Sequence, residues 1–161
     1  MKWAAGRLSR SRSRYAVANE LILVVEDHDK NRKLVRDVLR FKGYAIIEAE
    51  TGEEGVRLAQ ERHPSLVLMD IRLPGIDGIE ALRRLRAEPA TRGIPIMAMT
   101  ASVMTADRQR ITDAGFDAYQ SKPVKIKDFV AAVERLLDHP RKRGRQPTKF
   151  ELVINRASRQ G

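Results

Sequence analysis

Five short apolar runs recur along this chain at nearly even intervals, and that recurrence limits the fold more than any other feature. They start at Leu21 (LILVV), Tyr44 (YAIIEA), Leu66 (LVLM), Ile94 (IPIMAM) and, more weakly, Ala118, at intervals of 23, 22, 28 and 24 residues. Between them the apolar spacing turns helical, at Leu34/Val35/Val38/Leu39, Val56/Ala59, Ile79/Leu82/Leu85 and Phe129/Val133/Leu136/Leu137. Gly43 and Gly115 stand where helices should stop, and Thr51 and Asp77 where helices can be N-capped. Strands alternating with single helices at this interval build right-handed βαβ units, hence a parallel sheet covered on both faces. The unbroken apolar character of LILVV and LVLM fits strands buried on both sides. The expected fold is α/β, a doubly wound five-stranded parallel sheet with five helices. Its ligand site is then expected outside the carboxyl ends of the strands.

Composition narrows the chemistry. The chain has 161 residues, 42% hydrophobic and 32% charged, which fits one folded domain. There is no cysteine, so disulfides, thiolate zinc sites and thiol nucleophiles are excluded. No apolar run reaches the roughly 18 residues of a membrane span, and the N-terminus lacks the apolar stretch of a secretory signal. A cytoplasmic location is expected.

The net charge of +10 is unevenly placed. Residues 1–18 carry five basic and no acidic side chains, residues 139–161 seven basic and one acidic, and the middle is near neutral. The expected domains are therefore a basic arm (1–18), a folded unit (19–138), and a basic linker with a short apolar arm (139–161). The Arg- and Ser-rich start echoes an organelle transit peptide, although a mobile basic arm is the favoured reading.

At the ends of the apolar runs stand Glu26 and Asp27 after the first, Asp70 after the third, Thr100 after the fourth and Lys122 after the fifth. Each alone is unremarkable: an acid after a strand often caps a helix, and a lone lysine is usually solvated. Together they converge on one rim. Three neighbouring carboxylates repel one another unless a cation neutralises them, and oxygen ligands without His or Cys select Mg²⁺ (or Mn²⁺, Ca²⁺) over zinc. A hydroxyl and an ammonium suit phosphate oxygens, and a carboxylate can itself be the nucleophile of an aspartyl-phosphate. There is no GxxxxGK[ST] or GxGxxG loop, so the phosphoryl group must come from outside.

On the motifs LILVVEDH, LVLMDIRLPGIDG, MAMTAS and AYQSKPV, residues 20–138 resemble the receiver domains of two-component response regulators, close to the single-domain cell-cycle and chemotaxis type. The resemblance implies a flavodoxin-like sheet of strand order 2-1-3-4-5 and phosphorylation of Asp70 by a sensor histidine kinase or phosphotransfer protein. It implies that Glu26, Asp27, Asp70 and the backbone carbonyl of Arg72 hold Mg²⁺. It assigns Thr100, followed by Ala101, and Lys122 to phosphate, makes Lys122–Pro123 a cis bond, and makes Tyr119 a switch residue on the face of the fourth helix, fifth strand and fifth helix. The acidic pair is Glu-Asp rather than the commoner Asp-Asp. Arg72 and Ser102 occupy the family positions that flank the path of hydrolytic water.

The expected function is thus a stand-alone phospho-acceptor that switches a protein-interaction surface, and not an enzyme beyond its own phosphorylation and dephosphorylation. Only 23 residues lie beyond Asp138, too few for a helix-turn-helix output domain, so specific DNA binding is not expected. Phe150, Leu152 and Ile154 alternate with Glu151, Val153 and Asn155 like a short strand, and an arm over Phe150–Ile154 is expected to support a homodimer. Two other readings are a nucleic-acid-associated protein using its basic tails and a Mg²⁺-dependent phosphatase using Asp70. Against the phosphatase, the rim offers no second acid/base beside Asp70 and the sequence no substrate-binding cap.

Overall fold

The computed structural model of the chain describes residues 20–101 and 105–138. The two basic tails, the arm Phe150–Ile154 and Ser102 lie outside the described residues. Ten elements alternate along the chain: β1 (Leu21–Val25), α1 (Asp29–Phe41), β2 (Ala45–Ala49), α2 (Gly52–Arg62), β3 (Leu66–Asp70), α3 (Gly78–Ala87), β4 (Ile96–Thr100), α4 (Thr105–Ala114), β5 (Ala118–Ser121) and α5 (Ile126–Asp138). The strands form one parallel sheet in the order β2-β1-β3-β4-β5.

Because side chains alternate across a strand, each central strand feeds two cores. Leu23, Val25, Val67, Met69, Ile96 and Ala98 face α2, α3 and α4, meeting Val56, Ala59, Ala81, Leu82, Leu85 and Ile111. Ile22, Val24, Leu66, Leu68, Met97 and Met99 face α1 and α5, meeting Val35, Leu39, Phe129, Val133 and Leu137. A fully buried side chain of this size stabilises by about 1.5–3 kcal/mol. The continuous apolar runs of β1 and β3 arise from this burial on both faces.

Helix ends obey local chemistry. Thr51 Oγ1 accepts from the Glu54 amide at 3.1 Å, while the Glu54 carboxylate accepts from the Glu50 amide at 3.0 Å. Asp77 Oδ1 accepts from the Glu80 amide at 2.8 Å. Gly43 and Gly115 take φ values of +97° and +105° just beyond α1 and α4, where other residues would be strained.

Strand limits differ from the sequence expectation by one or two residues. Tyr44 is not in β2, since its amide donates to Leu39 O at the end of α1. β4 starts at Ile96, because Pro95 has no amide to give the ladder. Asp70 and Thr100 close their strands rather than stand beyond them. The ladder runs past Asp70, where the Ile71 amide donates to Met99 O at 3.1 Å.

Candidate functional site

The strand order reverses between β1 and β3, and the carboxyl ends of these strands bring the acidic residues together. Asp70 is the last residue of β3, and Glu26 and Asp27 come directly after β1. One carboxylate oxygen from each of the three lies within 4.8 Å of the others. Glu26 and Asp70 are buried, at 4% and 5% exposure, whereas Asp27 is exposed.

From the residue just past β5 the Lys122 ammonium reaches into this cluster, donating to Glu26 Oε1 at 2.6 Å and to Asp70 Oδ2 at 3.1 Å. The Lys122 amide donates to Thr100 O at 2.7 Å, which ties the end of β4 to the lysine. Backbone amides hold the remaining carboxylate oxygens: His28 N–H donates to Glu26 Oε2 at 3.1 Å and Arg72 N–H to Asp70 Oδ1 at 3.2 Å. Glu26, Asp27, Asp70, Arg72, Thr100 and Lys122 line one open cavity of about 250 Å³. Ala101 lines it too, and the Lys122–Pro123 bond is cis.

Tyr119 stands apart. It is half-buried on β5 and packs against the core on the α2–α3–α4 face, without lining this cavity. Three residues that sequence reasoning passed over do line it, the apolar Ile71 and the polar His28 and Asn31. His28 comes directly after the acidic pair and Asn31 lies in the first turn of α1, so adjacency to Glu26-Asp27 was the available signal.

The electrostatics fit a charge-handling site. Burial first, and then the nearby Glu26 carboxylate, push the Asp70 carboxyl up to about 6, against the lowering effect of Lys122. Burial alone would lower the Lys122 ammonium. Its hydrogen bond to Glu26 and the charges of Asp70 and Glu26 outweigh burial and raise it. Three carboxylates against one ammonium leave negative charge uncompensated. The donors are all oxygens, a set that suits a hard divalent cation such as Mg²⁺.

Comparison with known proteins agrees with this geometry. The model of the response regulator receiver domain matches residues 22–134. The polar-differentiation response regulator DivK of Brucella ovis is 40% identical over 116 residues, covering 72% of this chain and 94% of that protein. The receiver domain of the sensor histidine kinase PA1611 from Pseudomonas aeruginosa PAO1, solved with a magnesium ion coordinated in its active-site cleft, is 35% identical. It superposes with a TM-score of 0.70 over 74% of this chain and 98% of that one. A CheY-like receiver domain protein from Methanospirillum hungatei JF-1 is 29% identical, with a TM-score of 0.67 over 74% of this chain and 94% of its own. No helix among the described residues is long and apolar enough to cross a membrane. With its sheet order, its acidic rim and these matches taken together, the chain belongs to the response regulator receiver domain family of two-component signalling.

Proposed function

We propose that the protein accepts a phosphoryl group on Asp70 from a histidine kinase or phosphotransfer protein and thereby switches a protein-interaction surface. One observation carries this reading: a buried aspartate whose two oxygens are held by the Lys122 ammonium at 3.1 Å and the Arg72 amide at 3.2 Å, inside a carboxylate cluster open to a cavity.

In the transfer, an Asp70 carboxylate oxygen attacks the phosphorus of a phosphohistidine. The new O–P bond forms as the P–N bond breaks, and the departing imidazole keeps the electron pair and takes up a proton. The product is an acyl phosphate. Lys122 neutralises phosphoryl charge, and the Thr100 hydroxyl donates to a phosphoryl oxygen once the β4 end moves toward it. Glu26, Asp27, Asp70 and the Arg72 carbonyl are the residues that would hold Mg²⁺ (or Mn²⁺). When bound, the ion supplies positive charge against the phosphoryl oxygens.

Phosphorylation replaces one negative charge at Asp70 with about −1.5 to −2. The surface that answers is the face of α4, β5 and α5, where Tyr119 turns inward as Thr100 shifts. Phosphorylation biases two surface states by no more than its differential stabilisation of them. Labelling with acetyl phosphate tests the reading. Wild-type protein is expected to be labelled only with Mg²⁺ present, and Asp70→Asn not at all. Labelling of Asp70→Asn, or equal labelling of wild type in excess chelator, overturns it.

A further inference from the structure

The Asp27 carboxylate is the exposed member of the acidic cluster, and among the described residues no group hydrogen-bonds or ion-pairs with it. Its aim therefore comes from its backbone. Two bonds fix the backbone at Glu26: its amide donates to Ala49 O at 3.0 Å, and its carbonyl, which belongs to the peptide that joins Glu26 to Asp27, accepts from Arg32 Nη1 at 2.8 Å. The Arg32 amide closes the first turn of α1 on the His28 carbonyl at 2.9 Å. The carbonyls on both sides of Asp27 are thus bonded by one residue.

The rest of the guanidinium is committed elsewhere. Nε donates to Glu48 Oε1 of β2 at 3.2 Å and Nη2 to Asp29 Oδ1 at 2.5 Å, and the side chain is only 14% exposed. A planar fork satisfied on three sides is preorganised in a way a lysine is not. We propose that Arg32 is a positioning residue for the cation site, holding the Glu26–Asp27 peptide in the orientation that presents the Asp27 carboxylate to a divalent ion. This rests on the reading of Glu26, Asp27 and Asp70 as the cation site.

Coulomb's law makes the sign diagnostic. Arg32 is a positive charge beside a cation site, so deleting it should by charge alone tighten Mg²⁺ binding. Loss of positioning should weaken it, because outer-shell partners of metal ligands are typically worth tenfold or more in affinity. The control is Arg36, which donates to both oxygens of Glu48 at 3.2 Å and spends its remaining bond on Asp37, away from the acidic loop.

The test is the Mg²⁺-linked rise in melting temperature of the full chain at pH 8, titrated to give a half-saturation concentration. Arg32→Met is expected to raise that concentration on the order of tenfold, and Arg36→Met to leave it within about twofold of wild type. Unchanged or tighter binding in Arg32→Met overturns the proposal, as does an equal loss in Arg36→Met. If Arg32→Met does not fold, Arg32→Lys carries the test, since it keeps the charge and lacks the fork. Weaker binding is again the expected result, and wild-type affinity the overturning one. A wild-type protein with no Mg²⁺-linked shift at all removes the cation site itself, a different failure from a shift that Arg32→Met leaves intact.

Discussion

The Lys122 ammonium lies closer to Glu26, at 2.6 Å, than to Asp70, at 3.1 Å. The lysine therefore bridges the two buried carboxylates, and Glu26 takes the shorter bond. On the proposed reading, a phosphoryl group arriving on Asp70 would offer Lys122 new oxygen acceptors on the Asp70 side. The Lys122–Glu26 contact is the bond such a group would draw the lysine away from, leaving Glu26 to the cation.

Removing the bridge should show in stability before it shows in chemistry. Lys122→Met leaves two buried carboxylates facing each other without an ammonium, and breaking a buried pair in this way costs roughly 3–5 kcal/mol. The loss should be largest at pH 8 in chelator and shrink at pH 5, where Asp70 takes a proton. Urea unfolding of wild type and Lys122→Met at the two pH values measures it. A loss of the same size at both would show that the lysine does not act through carboxylate charge.

Asp70 sets a pH dependence of its own. Its carboxyl, near 3.8 in an open chain, sits at about 6 in the fold. A raised pKa means that the folded state holds the proton more tightly than the unfolded state. The stability that this gives is complete below about pH 4 and is lost as pH rises through about 6. Without metal, Asp70→Asn should then be more stable than wild type at pH 8 by roughly 1–3 kcal/mol, and nearly equal to it at pH 4. Mg²⁺ should stabilise wild type at pH 8 and lose that effect toward pH 5. Paired denaturant melts with and without chelator check both signs.

A second ion pair, partly buried, makes a prediction free of the site. Arg86 of α3 donates to Asp117 at 2.8 Å and to the carbonyls of Arg92 and Ile94 at 2.9 and 2.6 Å, while Asp117 also accepts from the Ile96 amide at 2.8 Å. The group binds the amino-terminal ends of β4 and β5, opposite the rim that carries Asp70. Arg86→Met removes these three bonds from beside a partly buried carboxylate, and is expected to destabilise by roughly 1–3 kcal/mol. Asp117→Asn keeps an acceptor for Ile96 and should cost less. Folded protein of either variant should bind Mg²⁺ with wild-type affinity.

Legibility in the sequence tracked how local each cause is. LILVV and LVLM announce buried strands because both their faces are apolar, and the caps at Thr51 and Asp77 lie within three residues of the amides they accept from. β5 was faint because its four residues are all half-buried on an edge strand. The helix ahead of it showed no apolar period because α4 gives the core little beyond Ile111. The rim residues could be read off as a set, since strand ends deliver side chains wherever the sheet is parallel. Their contacts could not. Which carboxylate Lys122 meets first depends on packing across 96 residues of chain, and Arg86–Asp117 spans 31. Arg32, in turn, reads as one more solvated helix charge until β2 is placed beside it.

Gly78 gives the sharpest packing test of how the Asp70 backbone is held. A Cβ added there would stand 2.3 Å from Asp70 O and 2.9 Å from Ile71 Cα, and both are backbone atoms that cannot swing aside. The Gly78 amide donates to Ile71 O at 2.9 Å, so α3 starts in direct contact with the end of β3. Gly78→Ala must push the helix or the strand end away. It is expected to destabilise by about 1–3 kcal/mol or more and to weaken Mg²⁺ binding, because the carboxylate moves with its backbone. Gly115 is the contrast: its φ of +105° strains any other residue, but nothing lies within 4 Å of the added carbon. Gly115→Ala should therefore cost about 1–3 kcal/mol of strain and leave Mg²⁺ affinity unchanged. Melting curves of the two variants with and without Mg²⁺ separate a clash at the site from strain away from it. Wild-type affinity in Gly78→Ala would show that the start of α3 does not hold Asp70 in place.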